Sequence, residues 1–195
     1  MTLRSPFPEW AWPALFAWLK HEIKSRVLDD YVPTDIHAFV EMMRGANMRT
    51  WAALDAAGDV AGFIAYQQTN PRAGVCWFAL RSHVMDRAPG VLAAVLNEVF
   101  AGGVERVAFL PFSDQHSTRR LLESVGCRKE GVLRHSTMRG GKPADQLVMA
   151  ILRGEVKPHA CISGTVGDCG SIGAGELPGK PEERAHVDQH QHAEV

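Results

Sequence analysis

Residues 118–134, reading TRRLLESVGCRKEGVLR, constrain the fold more than any other stretch of this 195-residue chain. Leu121, Leu122 and Val125 recur at i, i+1 and i+4, which puts them on one face of a helix. Gly126 follows the last of them, where a helix end favours a residue that accepts a left-handed backbone. The chain then restarts as a strand after the charged approach Arg128-Lys129-Glu130-Gly131. A helix that turns straight into a strand implies helices layered on a sheet.

The remaining periodicities supply both layers. Trp12, Phe16, Leu19, Ile23 and Val27 stand at helical spacing, predicting a first helix that begins near Pro8 or Pro13. A second should start at Thr34 or Asp35, both capable N-caps, and carry Ile36, Phe39, Val40 and Met43. Residues 49–55 and 60–68 flank the turn-prone Ala57-Gly58-Asp59 and read as a β-hairpin. Residues 74–81, containing VCWFALR, are apolar enough for a strand buried on both faces. A helix over 90–101 with Leu92, Val95, Leu96 and Val99 inward leads to a strand over 104–110, a parallel crossover. Strands over 131–138 and 146–152 pair around Gly140-Gly141.

Hydrophobic residues make up 46% of the chain, enough for one well-formed core. A formal charge of −1 gives no general attraction to nucleic acid or to an anionic membrane. No apolar run approaches the ~18 residues of a membrane helix, and residues 1–13 lack the pattern of a cleaved leader, so we expect a cytoplasmic protein. Four cysteines (Cys76, Cys127, Cys161, Cys169) are too few and too unevenly spaced for a secreted disulfide framework. All five Trp residues lie at or before Trp77, and no Phe, Trp or Tyr follows Phe112. From Lys157 onward the chain is Gly-rich and polar without apolar periodicity. Such a segment does not offset ~1–2 kcal/mol of backbone entropy per residue, so the expected organisation is a folded domain over 1–156 and a disordered tail over 157–195.

The 118–134 stretch resembles the S-x-R-L-L-E-K-L-G-F-x-x-E-G-x-x-R segment of the GNAT acyltransferases, above all the branch that acetylates protein N-termini, including those of ribosomal proteins. The order of elements is similar to that family's over about residues 49–153. The resemblance implies an α/β class with a central mixed sheet of about six to seven strands and about four helices. It also implies acetyl-CoA as co-substrate and an amine as acceptor. In such folds two parallel strands splay at their C-terminal ends to admit pantetheine. Here the slot would open between the strand ending near Arg81 and the one ending near Leu110, with backbone groups of Leu80, Arg81 and Ser82 facing it. The family's phosphate loop Q/R-x-x-G-x-G/A falls on Arg87, Ala88, Pro89, Gly90 and Val91, where helix N–H groups would meet pyrophosphate. Leu92 departs from its final small residue.

In the next helix the resemblance places Gln115 at the family's asparagine and Thr118 at its small hydroxyl residue, both toward pantetheine. Ser113 and Asp114 read as simple N-caps. Leu122 stands where many relatives carry a tyrosine that protonates the CoA thiolate, and Cys127 replaces a phenylalanine as a small core residue. Orientation of the two reactants and an N–H near Leu80 would carry much of the acceleration. His83, Asp114 and His116, together with Asp86, are the candidates for a base. Direct acetyl transfer to a primary amine of a protein, peptide or small molecule is the leading expectation. A non-catalytic CoA-binding or regulatory protein of the same fold is the alternative, favoured by Leu92, Gln115 and Leu122.

Other signals weigh less. Arg134 and Asp145 match the family's hairpin ending, where hydrogen bonding within the hairpin accounts for them. Cys161, Cys169, His186, His190 and His192 are zinc-ligand types, but the cysteine gap is longer than a usual knuckle, and no metal site is expected. Trp10, Trp12 and Trp18 suit an acceptor groove, core packing or a homodimer contact equally.

Overall fold

A computed structural model of the protein describes residues 1–23 and 30–159. In chain order it contains β1 (Thr2–Arg4), α1 (Trp12–Ile23), α2 (Ile36–Met43), β2 (Met48–Leu54), β3 (Val60–Asn70), β4 (Ala73–Leu80), α3 (Ala88–Ala101), β5 (Arg106–Phe109), α4 (His116–Val125), β6 (Arg128–Arg139) and β7 (Lys142–Leu152). Short 3-10 turns at Glu9–Ala11 and Ser82–Val84 precede α1 and α3. The seven strands form one mixed sheet in the order β1-β2-β3-β4-β5-β7-β6. β4 and β5 run parallel, and the other neighbours are antiparallel.

Two hydrophobic clusters sandwich the sheet. On one face Val91, Leu92, Val95, Leu96 and Val99 of α3, with Leu121, Leu122 and Val125 of α4, pack on Trp51, Ile64, Cys76, Phe109 and Ile151. On the other, Trp12, Leu15, Phe16 and Leu19 of α1, with Phe39 and Met43 of α2, pack on Phe63, Ala65 and Ala79. Asp35 starts α2, its Oδ1 accepting from the N–H groups of His37 (2.9 Å) and Ala38 (3.1 Å).

The α4-to-β6 junction forms as its residues predict. Gly126 is left-handed at φ +113°, and Cys127 N–H donates to the Leu122 carbonyl at 2.9 Å, closing the helix in a Schellman motif. A Cβ on Gly126 would collide with the Glu155 carbonyl oxygen, so glycine serves both conformation and close approach. Gly140 and Gly141, at φ +59° and +72°, turn β6 into β7. Positive φ at both central positions is what a two-residue hairpin loop needs.

Several expectations are corrected. β1 adds an edge strand of three residues, too short for any alternating pattern to reveal. Of the two starts expected for α1, the one near Pro13 holds: the helix begins at Trp12, after a 3-10 turn. β4 is not buried on both faces: Val75, Trp77, Phe78 and Leu80 are only half-buried. Val27, and the tail from residue 160 with Cys161, Cys169, His186, His190 and His192, lie outside the described residues. Among the described residues no helix is long and apolar enough to cross a membrane.

Candidate active site

The site follows from one parting in the sheet. β4 and β5 pair only from Ala73↔Arg106 to Val75↔Ala108, whereas β4 runs on to Leu80. Arg81 N–H donates to the Ala61 carbonyl at 2.8 Å, so the odd-numbered residues of β4 exchange hydrogen bonds with β3. By alternation, the backbone groups of Phe78 and Leu80 point away from β3, into the gap that β5 leaves. The rings of Phe78 and Phe109 meet edge-on across its base at 6.1 Å.

Three neighbouring spaces with shared lining residues occupy this region. A narrow slot of about 80 Å³ lies between the parted strands and α4, lined by Cys76, Phe78, Phe109, Pro111, Thr118 and Leu122. An outer cleft of about 910 Å³ opens past Leu80, Arg81, Ser82 and His83 toward Trp18 and Arg139. An inner cavity of about 320 Å³ lies between α2 and the ends of β4, β5 and β7, lined by Phe39, Phe63, Trp77, Phe112 and Gln146 among others. Gln115 borders all three. The arrangement can hold an extended chain in the slot with one end meeting a second molecule from the inner side.

Solved structures share this architecture. Ribosomal-protein-alanine N-acetyltransferase from Brucella melitensis superposes with a TM-score of 0.67 at 18% identity, covering 78% of this chain and 100% of that one. Spermidine N-acetyltransferase from Vibrio cholerae, solved with CoA and spermine, gives 0.68 at 15% identity over 79% of this chain and 96% of that one. The chain has the GNAT N-acetyltransferase fold. In sequence it is similar to the uncharacterised N-acetyltransferase YoaA of Bacillus subtilis, 32% identical over 94 residues, which are 47% of this chain. The chain spans 53% of that relative's length. No family model matches it.

Within the GNAT fold, the residues singled out from sequence fall into three groups. Leu80, Arg81, Ser82, Gln115 and Thr118 border the outer cleft. The Arg81 guanidinium stacks over the Trp18 ring at 5.2 Å, and its buried Nε has no hydrogen-bond partner among the described residues. A buried N–H without an acceptor is costly, so this donor suits an oxygen of a ligand in the cleft. Arg87, Ala88, Pro89, Gly90 and Val91 form the start of α3. Ala88 and Val91 are fully buried, and their N–H groups donate to the Met85 and Arg87 carbonyls at 3.3 and 3.1 Å. Leu92 is 1% exposed and packs in the core cluster.

The candidate bases, His83, Asp114 and His116, all sit on the outer cleft. His83 Nε2 lies 3.7 Å from Asp55 Oδ2, beside the β2–β3 turn. Asp114 does not cap α4 with its side chain: Gln115 is the N-cap residue, and the Asp114 carboxylate pairs with Arg139 at 2.8 Å. Asp86 lies 3.9 Å from Arg87 Nε. Leu122 is fully buried, and burial pushes the Cys127 thiol up to about 12, as fits a core residue. Among the described residues no group of three or more side chains is arranged to hold a metal.

The three early tryptophans have separate roles. Trp12 is core, tilted against Phe7 at 4.2 Å; Trp18 floors the outer cleft; Trp10 is exposed. Sequence reasoning missed Arg139, whose guanidinium also lies over Phe112 at 4.3 Å. It missed Trp77 and Gln146 too, because their relation to the gap exists only once β7 is seated beside β5.

Proposed function

We propose that this protein is an N-acetyltransferase moving the acetyl group of acetyl-CoA directly to a primary amine, in a cytoplasmic setting that suits its free buried thiols Cys76 and Cys127. The observation that carries the reading is the parting of β4 from β5 with unclaimed backbone groups at Phe78 and Leu80, flanked by the Arg81 donor. The fit continues at α3, where Pro89 has no N–H and the Gly90 N–H belongs to the first helical turn, whose N–H groups suit an anion.

Acetyl-CoA supplies a thioester, whose acyl carbon accepts a nitrogen nucleophile. The chain's part is positioning and electrostatics. The Leu80 N–H is placed to stabilise negative charge developing on an acyl oxygen in the gap. Gln115, at the junction of the three spaces, orients what meets there. A C–N bond forms, the C–S bond breaks with its electron pair leaving on sulfur, and one amine proton departs. Among the described residues lining the slot and inner cavity there is no Asp, Glu or His, so that proton leaves toward the outer cleft or the thiolate.

The second reading is a CoA binder without transfer, favoured by one observation: Leu122 offers no acid to the sulfur. Following free CoA thiol across a panel of primary amines separates the two. Amine-dependent release supports the enzyme; tight acetyl-CoA binding with no release above hydrolysis supports the binder.

A further inference from the structure

We infer that the acceptor is a small apolar primary amine whose hydrocarbon part sits in the inner cavity; this inference rests on the acetyl-transfer reading above. The cavity walls are apolar and deformable. Phe39, Phe63, Trp77 and Phe112 supply aromatic surface, and Met42, Met43 and Met48 supply thioethers that adapt to irregular shapes. Its polar side-chain groups are the phenol of Tyr31 and three neutral amides. Gln146 donates to the Leu110 carbonyl at 3.0 Å while its Oε1 accepts from Ser136 at 2.9 Å, and Gln115 Oε1 accepts from the Phe112 N–H at 3.1 Å. Gln67 completes the set.

Charge decides the class. Among the described lining residues there is no Asp, Glu, Lys, Arg or His. A second ammonium seated among the apolar walls would have to be stripped of water with no carboxylate among the described lining residues to receive it, which is far more costly than burying hydrocarbon. The reacting amine avoids this penalty because it must be neutral to attack.

Size and connection agree with charge. An apolar cavity of roughly 150 Å³ accommodates benzene, so about 320 Å³ suits a ring with a short alkyl arm. Trp77, Leu110 and Gln115 line both the cavity and the slot, so an arm directed toward them brings its nitrogen close to the parted strands. On the opposite side Tyr31 and Val32 form a wall held by Asp30. The Asp30 carboxylate accepts from the Gly140 and Gly141 N–H groups at 2.8 Å each, and its own N–H donates to the Met138 carbonyl at 2.9 Å. Tyr31, Met42 and Gln67 are exposed and form the rim of the cavity, so its apolar depth lies at Phe39, Phe63 and Trp77.

The test compares kcat/KM for phenylethylamine, spermidine and a short peptide headed by Phe, at saturating acetyl-CoA, in wild type and Gln67→Glu. Acetyl-CoA-dependent thermal shift is measured on the same samples. We expect phenylethylamine to exceed spermidine by at least about a hundredfold, and to exceed the peptide. Gln67→Glu, which places a carboxylate at the rim of the cavity, should narrow the gap to spermidine at least about tenfold. A thermal shift accompanied by preference for spermidine or the peptide, or by no transfer to any apolar amine, overturns this inference and leaves the CoA site standing. Absence of both shift and transfer removes the acetyl-transfer reading and this inference with it.

Discussion

Gly62 and Leu80 face one another across the β3–β4 ladder so closely that a Cβ on Gly62 would lie 2.5 Å from Leu80 Cδ2 and 3.0 Å from its Cα. Leu80 carries the N–H that faces the gap, so Gly62 acts on the site only by letting β4 take this path. Gly62→Val should displace Leu80 and lower kcat by about tenfold or more, since small misplacements at a reacting centre are costly. The affinity for acetyl-CoA, gripped along the rest of the slot, should change less. Measuring kcat and the acetyl-CoA dissociation constant separately checks this split; a stable variant with unchanged kcat would remove Leu80 from the site. Overpacking should also cost about 1–3 kcal/mol of stability.

Arg81 offers a buried Nε and a stacked guanidinium to the outer cleft. A hydrogen bond to a charged partner contributes about 1.5–3 kcal/mol. Arg81→Ala should therefore weaken acetyl-CoA binding by about ten- to a hundredfold, read by calorimetry. Retained affinity would mean the ligand takes a different route out of the slot.

Asp35 links stability to pH. The backbone N–H of Ala38, and after it that of His37, holds its carboxyl below the usual carboxylate range. A carboxyl whose folded pKa is depressed contributes stability above its unfolded value and loses it as pH falls through the folded value. Asp35→Ala should lower the urea midpoint at neutral pH, and the difference from wild type should shrink as pH falls from the ordinary aspartate value of about 3.9 through the lower folded value. A difference that persists in acid would assign the effect to packing instead of the cap.

Cys76 and Cys127 are both buried, and burial raises both thiols well above their ordinary value. A raised thiol pKa leaves almost no thiolate at pH 8, so native protein should protect both from iodoacetamide, with labelling appearing on denaturation. Site-resolved mass spectrometry is the appropriate readout, because the chain also carries Cys161 and Cys169. Rapid native labelling of Cys76, which borders the slot, would show the strands opening there.

What could be read from sequence was local. The face of Leu121, Leu122 and Val125, the stop at Gly126, the cap at Asp35 and the turn at Gly140-Gly141 each depend on a few neighbouring residues, and each forms as expected. What escaped was non-local. The gap beside β4 depends on where its pairing with β5 ends, and the Asp114–Arg139 pair joins residues brought together by α4 and the hairpin. The inner cavity draws on α2, β2, β3, β4 and β7 and on the segments that follow α1 and β5, so no single periodicity could announce it. Leu92 illustrates the converse. Aligned to a motif it departs from a small residue, and in the fold it is a buried member of the core.

The most direct test of the acetyl-CoA site is its titration while following the unfolding midpoint of wild type and of Gly90→Glu, which sets a negative charge at the start of α3. At ~100 times the dissociation constant, binding should add ~2.7 kcal/mol. For a chain of this size that is an upward shift on the order of 5–10 °C. Wild type should show that saturable shift and Gly90→Glu, still folded, should lose it. A wild-type midpoint that does not move at millimolar acetyl-CoA would contradict the account.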